Sequence, residues 1–344
     1  MSSTTIREIA KKLHLSIGAV SRALDGYPDI SEATRQKVIQ TADEMGYVPN
    51  QAARQLRRGK ADSIGYILPA NTPRFADPFF SEFLSGLGDE SATHSFDLLI
   101  SIAPPGEEAE KQIYRNWVQG QKVDGLILTH MHLHDWRAQF LYENQIPFAC
   151  LENSMDSLNF PRVEVDRAQG MADLIAHLAG RGYKRIAYLG GPQNLKIQAD
   201  QFLGYQKGLK VNHLPFFPDL VTNGDLTSSG GYQAAGKLLA QPEPPDGVVC
   251  INDETAFGVL HAAHEFRLQI GIHFAVAGFD GVQDSCYTEP PLTTLAIPIY
   301  DIAKQLTRML AAEVNRQPLL ERSIIFKPGL IIRESTGREP GLLL

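Results

Sequence analysis

The sequence predicts an α/β protein, a small all-α head joined to a body built of two doubly wound parallel sheets. Three observations carry this reading. The first 50 residues hold three short helical patterns, each with a start and a stop signal. From Ile64 onward, short apolar runs alternate with amphipathic helical stretches, the pattern of parallel strands joined by crossover helices. The 344 residues, 43% of them apolar, exceed one ordinary core, and a single sheet of about ten strands would curl or split.

Thr5 opens the first helix, and Glu8 completes a T-x-x-E capping box ahead of Ile9, Ala10 and Leu13. That helix stops near His14. Ser16 caps a second helix with the apolar face Ile17, Val20, Ala23 and Leu24, ended by Asp25-Gly26. A third begins at Ser31, carries Ala33, Val38, Ile39, Ala42 and Met45 at helical spacing, and closes at Gly46. Two helices joined by a short turn with a third behind them form a helix-turn-helix, spanning residues 1–49, whose second helix suits a DNA major groove.

Residues 50–60 read as a hinge helix and linker. Asn50 can cap a helix over 51–57 that Gly59 stops, but its two turns fall short of the about 12–15 residues an isolated helix needs. It is expected to order only when something packs on it.

In the body, residues 61–344, strands are expected at 64–68, 96–102, 123–128, 148–151, 186–189, 221–223, 248–251, 276–279 and 294–297. A last apolar stretch covers 324–332. Helices are expected at 79–92, 107–119, 168–180, 197–210, 229–240, 254–267 and 299–314. Two subdomains follow, one of about 61–160 plus 292–322, the other of about 161–291 plus 323–344. No short repeat or low-complexity segment interrupts them.

Charge separates head from body. The chain has a net charge of −7, yet residues 1–60 carry ten Lys or Arg against six Asp or Glu, so only the head suits phosphate contact. No apolar run approaches the about 20 residues that span a bilayer, and the polar start lacks a secretory stretch, so a cytoplasmic location is expected. Cys150, Cys250 and Cys286 are widely spaced in apolar surroundings and read as reduced core thiols.

On the second helix, Ile17, Gly18, Ser21 and Arg22 can face a groove while Val20 and Leu24 face the core. Arg22 is the best base reader, because a guanidinium can donate two parallel bonds to guanine O6 and N7, worth about 1–3 kcal/mol of discrimination. Ile17 can touch a thymine methyl. Ser31 and Thr34 stand at a helix start that suits a phosphate, and Tyr47 can either contact phosphate or pack in the core.

Ligands of open α/β sheets bind beyond the C-terminal ends of the strands. Those ends supply Glu152, Asp225, Asn252 with Asp253, and Asp280, while Asp77-Pro78-Phe79-Phe80 opens a helix beside them. Hydrogen-bond acceptors next to aromatic and aliphatic faces suit a neutral polyol, whereas a phosphorylated ligand would want cations. Helix caps or ion pairs are the plainer roles for Glu152 and Asp280. His130, His132 and His134 raise a metal site, which loses to a surface loop near the cleft because the intervening residues do not continue a strand. Gly190-Gly191-Pro192 lacks dinucleotide-loop spacing and reads as a turn.

Residues 5–24 (T-x-x-E-I-A…S-x-x-A-V-S-R-A-L), then T-R-x-K-V, G-Y-V-P-N and A-x-R-x-L resemble the DNA-binding head of the LacI/GalR family of regulators. The body carries the S-I-G, D-P-F-F, V-D-G-L-I, I-N-D, G-F-D and P-P-L-T-T landmarks of that family. The run S-I-G-A-V-S-R-A-L-D-G-Y-P-D-I-S is similar to that of repressors of α-glucoside use.

The resemblance implies a periplasmic-binding-protein-like body and a homodimeric repressor on a palindromic double-stranded operator, controlled by a mono- or disaccharide. Thr5, Ser16, Asn50, Ala53 and Leu56 join the DNA contacts, Leu56 as a minor-groove wedge, although a buried core leucine is its plainer role. Glu152, Asn252 and Asp280 fall on sugar-contacting positions, Phe79 can stack on the ligand, and Leu226 takes a site often held by an aromatic. Gln201 stands where the family usually has an anchoring Arg. Closure of the subdomains on ligand is expected to move the hinge segments and release DNA, or, with a co-repressor, to tighten the hold on it.

No cofactor or metal is expected. An exported solute-binding protein is disfavoured by the head and the missing export signal, and an enzyme by the lack of a nucleophile, Walker or paired-histidine motif. The tail after residue 337 is too short for a zipper of several heptads, so a dimer is expected and not a tetramer.

Overall fold

The computed structural model describes residues 4–47, 59–68, 77–104, 106–153 and 158–337. The chain divides into two compact units, Met1–Lys60 and Ala61–Leu344. The hinge residues Asn50, Ala53 and Leu56, and the tail from residue 338, lie outside the described residues.

The first unit holds α1 (Ile6–Leu13), α2 (Ile17–Leu24) and α3 (Glu32–Glu44). Its caps are those the sequence announces. Glu8 accepts from the Thr5 amide at 2.6 Å, Ser16 accepts from Ala19 N, and Ser31 accepts from Thr34 N, each quieting amides left over at a helix start. His14 ends α1 in the left-handed region at φ 54°, and Gly26 turns the chain after α2 at φ 76°. Ile9, Ala10, Val20, Ala23, Val38 and Ala42 form the small core. Ile39, expected on the buried face, is instead 37% exposed. Arg35 ties the turn to α3 by donating to the carbonyls of Gly26 and Tyr27.

The second unit contains two six-stranded sheets. The first has the order β11-β5-β4-β3-β1-β2 and is parallel throughout. Its strands are β1 (Ser63–Leu68), β2 (Asp97–Ile102), β3 (Gly125–Leu128), β4 (Phe148–Leu151), β5 (Arg162–Val165) and β11 (Ser323–Phe326). The second, β12-β10-β9-β8-β6-β7, is parallel except where β12 runs against β10. It comprises β6 (Ile186–Gly190), β7 (Val221–Asn223), β8 (Gly247–Cys250), β9 (Ala275–Asp280), β10 (Thr293–Ala296) and β12 (Gly329–Ile331). Central strands such as β1, β3, β4 and β8 are buried along their whole length, as expected where helices cover both faces.

The helices are α4 (Pro78–Thr93), α5 (Glu107–Gln119), α6 (Trp136–Glu143), α7 (Arg167–Gly180), α8 (Lys196–Val211), α9 (Ser228–Leu239), α10 (Asp253–Glu265) and α11 (Ile299–Val314). Where α9 meets α10, Gly258 lets the backbones touch: a Cβ there would lie 2.0 Å from the Ser228 carbonyl oxygen.

Sheet membership corrects the expected subdomain limits. β5 belongs to the first sheet, so the chain first crosses after residue 165, not at 160. It returns only after β10, which pairs with β9 in the second sheet, and the apolar stretch over 324–332 splits into β11 and β12, one for each sheet. Pairing partners, which a linear apolar pattern cannot register, decide these positions. A further correction concerns the thiols. Cys150 and Cys250 are buried, but Cys286 is exposed in a 3-10 turn.

Candidate functional site

The head presents one polar and sterically open face on α2. Ser16, Ile17, Gly18 and Arg22 are exposed there, with Ile17 at 47%. Arg22 Nη1 donates to Asp29 Oδ2 at 2.7 Å, an ion pair in which both side chains are about half exposed. Such a pair contributes about 0–1 kcal/mol, so the guanidinium can leave Asp29 for a base edge at little cost. Thr5 and Ser31 are exposed at the starts of α1 and α3, and the Thr34 hydroxyl lies 2.8 Å from that of Ser31. Tyr47 packs partly buried against the head core.

Ser21 departs from expectation. It is 5% exposed, so it does not share the open face with Arg22, and its hydroxyl donates to Asp25 Oδ2 at 3.4 Å one turn on. The short side chain is covered by its neighbours, where the long Arg22 reaches past them.

In the second unit, strand ends of both sheets converge on a cleft that is partly open to solvent. Glu152 follows β4, Leu226 follows β7, Asn252 follows β8, and Asp280 ends β9, while Asp77 and Phe79 open α4. These six sequence-derived residues line the cleft, whereas Gln201 and the strand-end residues Asp225 and Asp253 do not. Four lining residues hold a left-handed backbone without being glycine: His130 (φ 49°), Glu152 (φ 76°), Leu226 (φ 71°) and Asp280 (φ 105°). Such conformations cost about 1–3 kcal/mol each and persist only where surrounding structure enforces them, which makes their convergence on one cavity a mark of function.

Arg167, the first residue of α7, organises the floor. Its Nε donates to Glu152 Oε1 at 2.7 Å, its Nη1 lies 3.9 Å from Asp280 Oδ1, and its guanidinium sits 5.0 Å from the Phe279 ring centroid. Arg167 and Glu152 are 4% and 3% exposed. Burial pushes the Glu152 carboxyl up against the pull of Arg167. Burial also holds Asp280 well above the usual carboxylate range, with Asp253, Asp77 and Glu152 adding to the rise. His130 is pushed down to about 4 by burial, aided by Arg137 and Arg167, so its ring is uncharged at neutral pH. The cleft therefore offers carboxyls, an amide and a neutral imidazole to a ligand, with its guanidinium paired to Glu152.

Residues 5–50 match the lacI family of bacterial regulatory proteins, and residues 175–336 match the periplasmic binding protein-like domain. The chain is 30% identical to Catabolite control protein A of Priestia megaterium, over 97% of this chain and 99% of that protein. It is 29% identical to the HTH-type transcriptional repressor CytR of Escherichia coli (strain K12), over 98% of each. This chain belongs to the LacI family. The fold agrees: the lac repressor dimer bound to operator and the anti-inducer ONPF superposes with a TM-score of 0.84 at 24% identity, covering 98% of this chain and 100% of that one.

This LacI-family protein is a DNA-binding transcriptional regulator, and its relatives are regulators and not enzymes. Membership sharpens what the residues miss. Gln201, placed at the ligand by position, does not line the cleft; it is fully buried beneath it and donates from Nε2 to the Ile251 carbonyl at 3.0 Å. An amide has no charge to extend toward a ligand, so it braces the strand end instead. Sequence reasoning overlooked Arg167, Ile197 and Thr129, which line the cleft. His130, assigned to a surface loop, lines it as well, stacked on Phe80 with ring centroids 5.6 Å apart. Among the described residues no cluster of His, Cys, Asp and Glu could hold a metal ion, and no helix is long and apolar enough to cross a membrane.

Proposed function

We propose that this regulator represses transcription in the cytoplasm as a homodimer on a palindromic operator, with operator affinity set by a neutral sugar bound in the cleft. One observation carries the ligand class: the acceptors Glu152, Asn252 and Asp280 from three strand ends face a cavity whose guanidinium, Arg167, donates to Glu152 and lies 3.9 Å from Asp280, so that its charge is balanced by carboxyls. Hydroxyl groups donate well to such acceptors, and among the described residues that line the cleft the one cation, Arg167, is already paired with carboxyls. Phe79, Leu226, Ile197 and Ile251 supply the apolar faces a sugar ring needs. The name of CytR supports repression. Each head brings one recognition helix, so two copies read two half-sites. Leu56, with Asn50 and Ala53, is proposed to contact the minor groove between the two half-sites; Leu56→Ala should then lower DNA bending.

Asp280→Ala tests the ligand site. The variant should bind operator as wild type does while losing the change in operator affinity that sugars cause. An unaltered sugar response would move the site elsewhere.

A further inference from the structure

A second cavity of about 280 Å³, also partly open, adjoins the cleft, and His130 and Leu226 line both. Its other walls include Trp136, His132, Glu107, Glu110, Asp225 and Asn194. It lies beside the place where the two sheets' loops join: Leu133 N donates to the Asn194 carbonyl and Lys196 N to the Met131 carbonyl, both at 2.8 Å.

The chemistry of this chamber repeats that of the cleft. Trp136 packs edge-on against Tyr114 at 5.2 Å between centroids, which fixes the plane of a large aromatic surface. Glu107, Glu110 and Asp225 offer carboxylate acceptors. The guanidinium present, Arg137, donates from Nε and Nη2 to both oxygens of Asp135 and to the carbonyls of Thr129 and His130, and its Nη1 lies 3.9 Å from Glu110. Burial and the nearby Arg137 lower the His132 pKa, so that ring adds no cation at neutral pH. An aromatic platform flanked by carboxylate acceptors suits the apolar face and hydroxyls of a sugar, with Lys111 Nζ 5.6 Å from the Trp136 ring centroid and paired with Glu107 and Glu108.

We infer that this chamber is the second subsite for a two-ring neutral glycoside, one ring held in the cleft and the other against Trp136. This rests on the sugar reading of the cleft. It selects disaccharides over the monosaccharides that the cleft alone would accept.

Isothermal titration of the full chain with maltose, cellobiose, lactose and trehalose, set against glucose and galactose, tests it. At least one disaccharide should bind tenfold or more tighter than its component monosaccharides, and Trp136→Ala should cut that advantage below threefold. Should Trp136→Ala fold poorly, Trp117→Phe gives a second readout, since the chain has two tryptophans and Trp136 is then the sole emitter. Its emission should shift to the blue with the preferred disaccharide and stay put with glucose and galactose. Monosaccharides binding as tightly as every disaccharide, with no shift in indole emission, would overturn the subsite while leaving the cleft as a sugar site. Binding by none of the six sugars would remove the sugar reading itself and the subsite with it.

Discussion

Arg167→Met removes the guanidinium between Glu152 and Asp280 while keeping a side chain of comparable length. At an effective dielectric of about 20, the 2.7 Å contact with Glu152 is worth about 6 kcal/mol and the 3.9 Å contact with Asp280 about 4 kcal/mol. Against these stand several kcal/mol for taking the guanidinium out of water, so the net loss should be about 3–5 kcal/mol, the usual effect of orphaning one half of a buried pair. In a domain of this size that corresponds to a fall in Tm of about 6–15 °C. The pH dependence follows from the carboxyls left behind. Both folded-state pKa values are raised already and would rise further without Arg167. Below about pH 4 they are protonated folded or unfolded, and the penalty vanishes; it grows as pH climbs through the raised folded values. Scanning calorimetry of the full chain at pH 8 and pH 5 should therefore show the larger gap at pH 8. A variant as stable as wild type at pH 8, or a gap that widens on acidification, would refute the view that Arg167 neutralises the cleft.

Two further outcomes are expected. Arg22→Ala should abolish preference for the operator over random DNA, leave weak salt-sensitive binding and move Tm little, because the exposed pair with Asp29 contributes about 0–1 kcal/mol; retained preference in a filter-binding assay would mean that another residue reads the bases. Gly258→Ala should lower stability by about 3 kcal/mol or more by forcing α9 from α10, whereas Gly236→Ala, where an added Cβ meets nothing within 4 Å, should raise it by about 0.5–1 kcal/mol. Denaturant titration would separate the two, and equal effects would contradict the described helix contact.

How far these features were legible in the sequence depended on whether the signal was local. The caps at Ser16 and Ser31 and the turn at Gly26 are decided within one helical turn, and they stand where the residues announced them. Strand β5, R-V-E-V, carries the two-residue alternation of a half-buried strand, but four residues are too short a run to stand out until β4 and β11 flank them. Pairing of β10 with β9 likewise depends on partners far along the chain. In the cleft, scanning strand ends for acceptors found Glu152, Asn252 and Asp280 but passed over Arg167, which opens a helix just after the unseen strand. Carrying a role to Gln201 by position failed because the cation of this cleft comes from α7 instead. Ser21 shows the same limit on a smaller scale: helical phase put it beside Arg22, and packing covered it.

Under the proposed function, sugar binding and operator binding are coupled in one molecule. Thermodynamic linkage makes the coupling reciprocal: the factor by which a saturating sugar changes operator affinity must equal the factor by which saturating operator changes sugar affinity. With an operator selected from a random duplex library and the tightest-binding sugar, both factors can be measured by fluorescence anisotropy and calorimetry on the same preparation. Two equal factors, about 5-fold or larger, are expected. A factor of one in both directions would contradict the account, for the cleft would then hold its ligand without instructing the head.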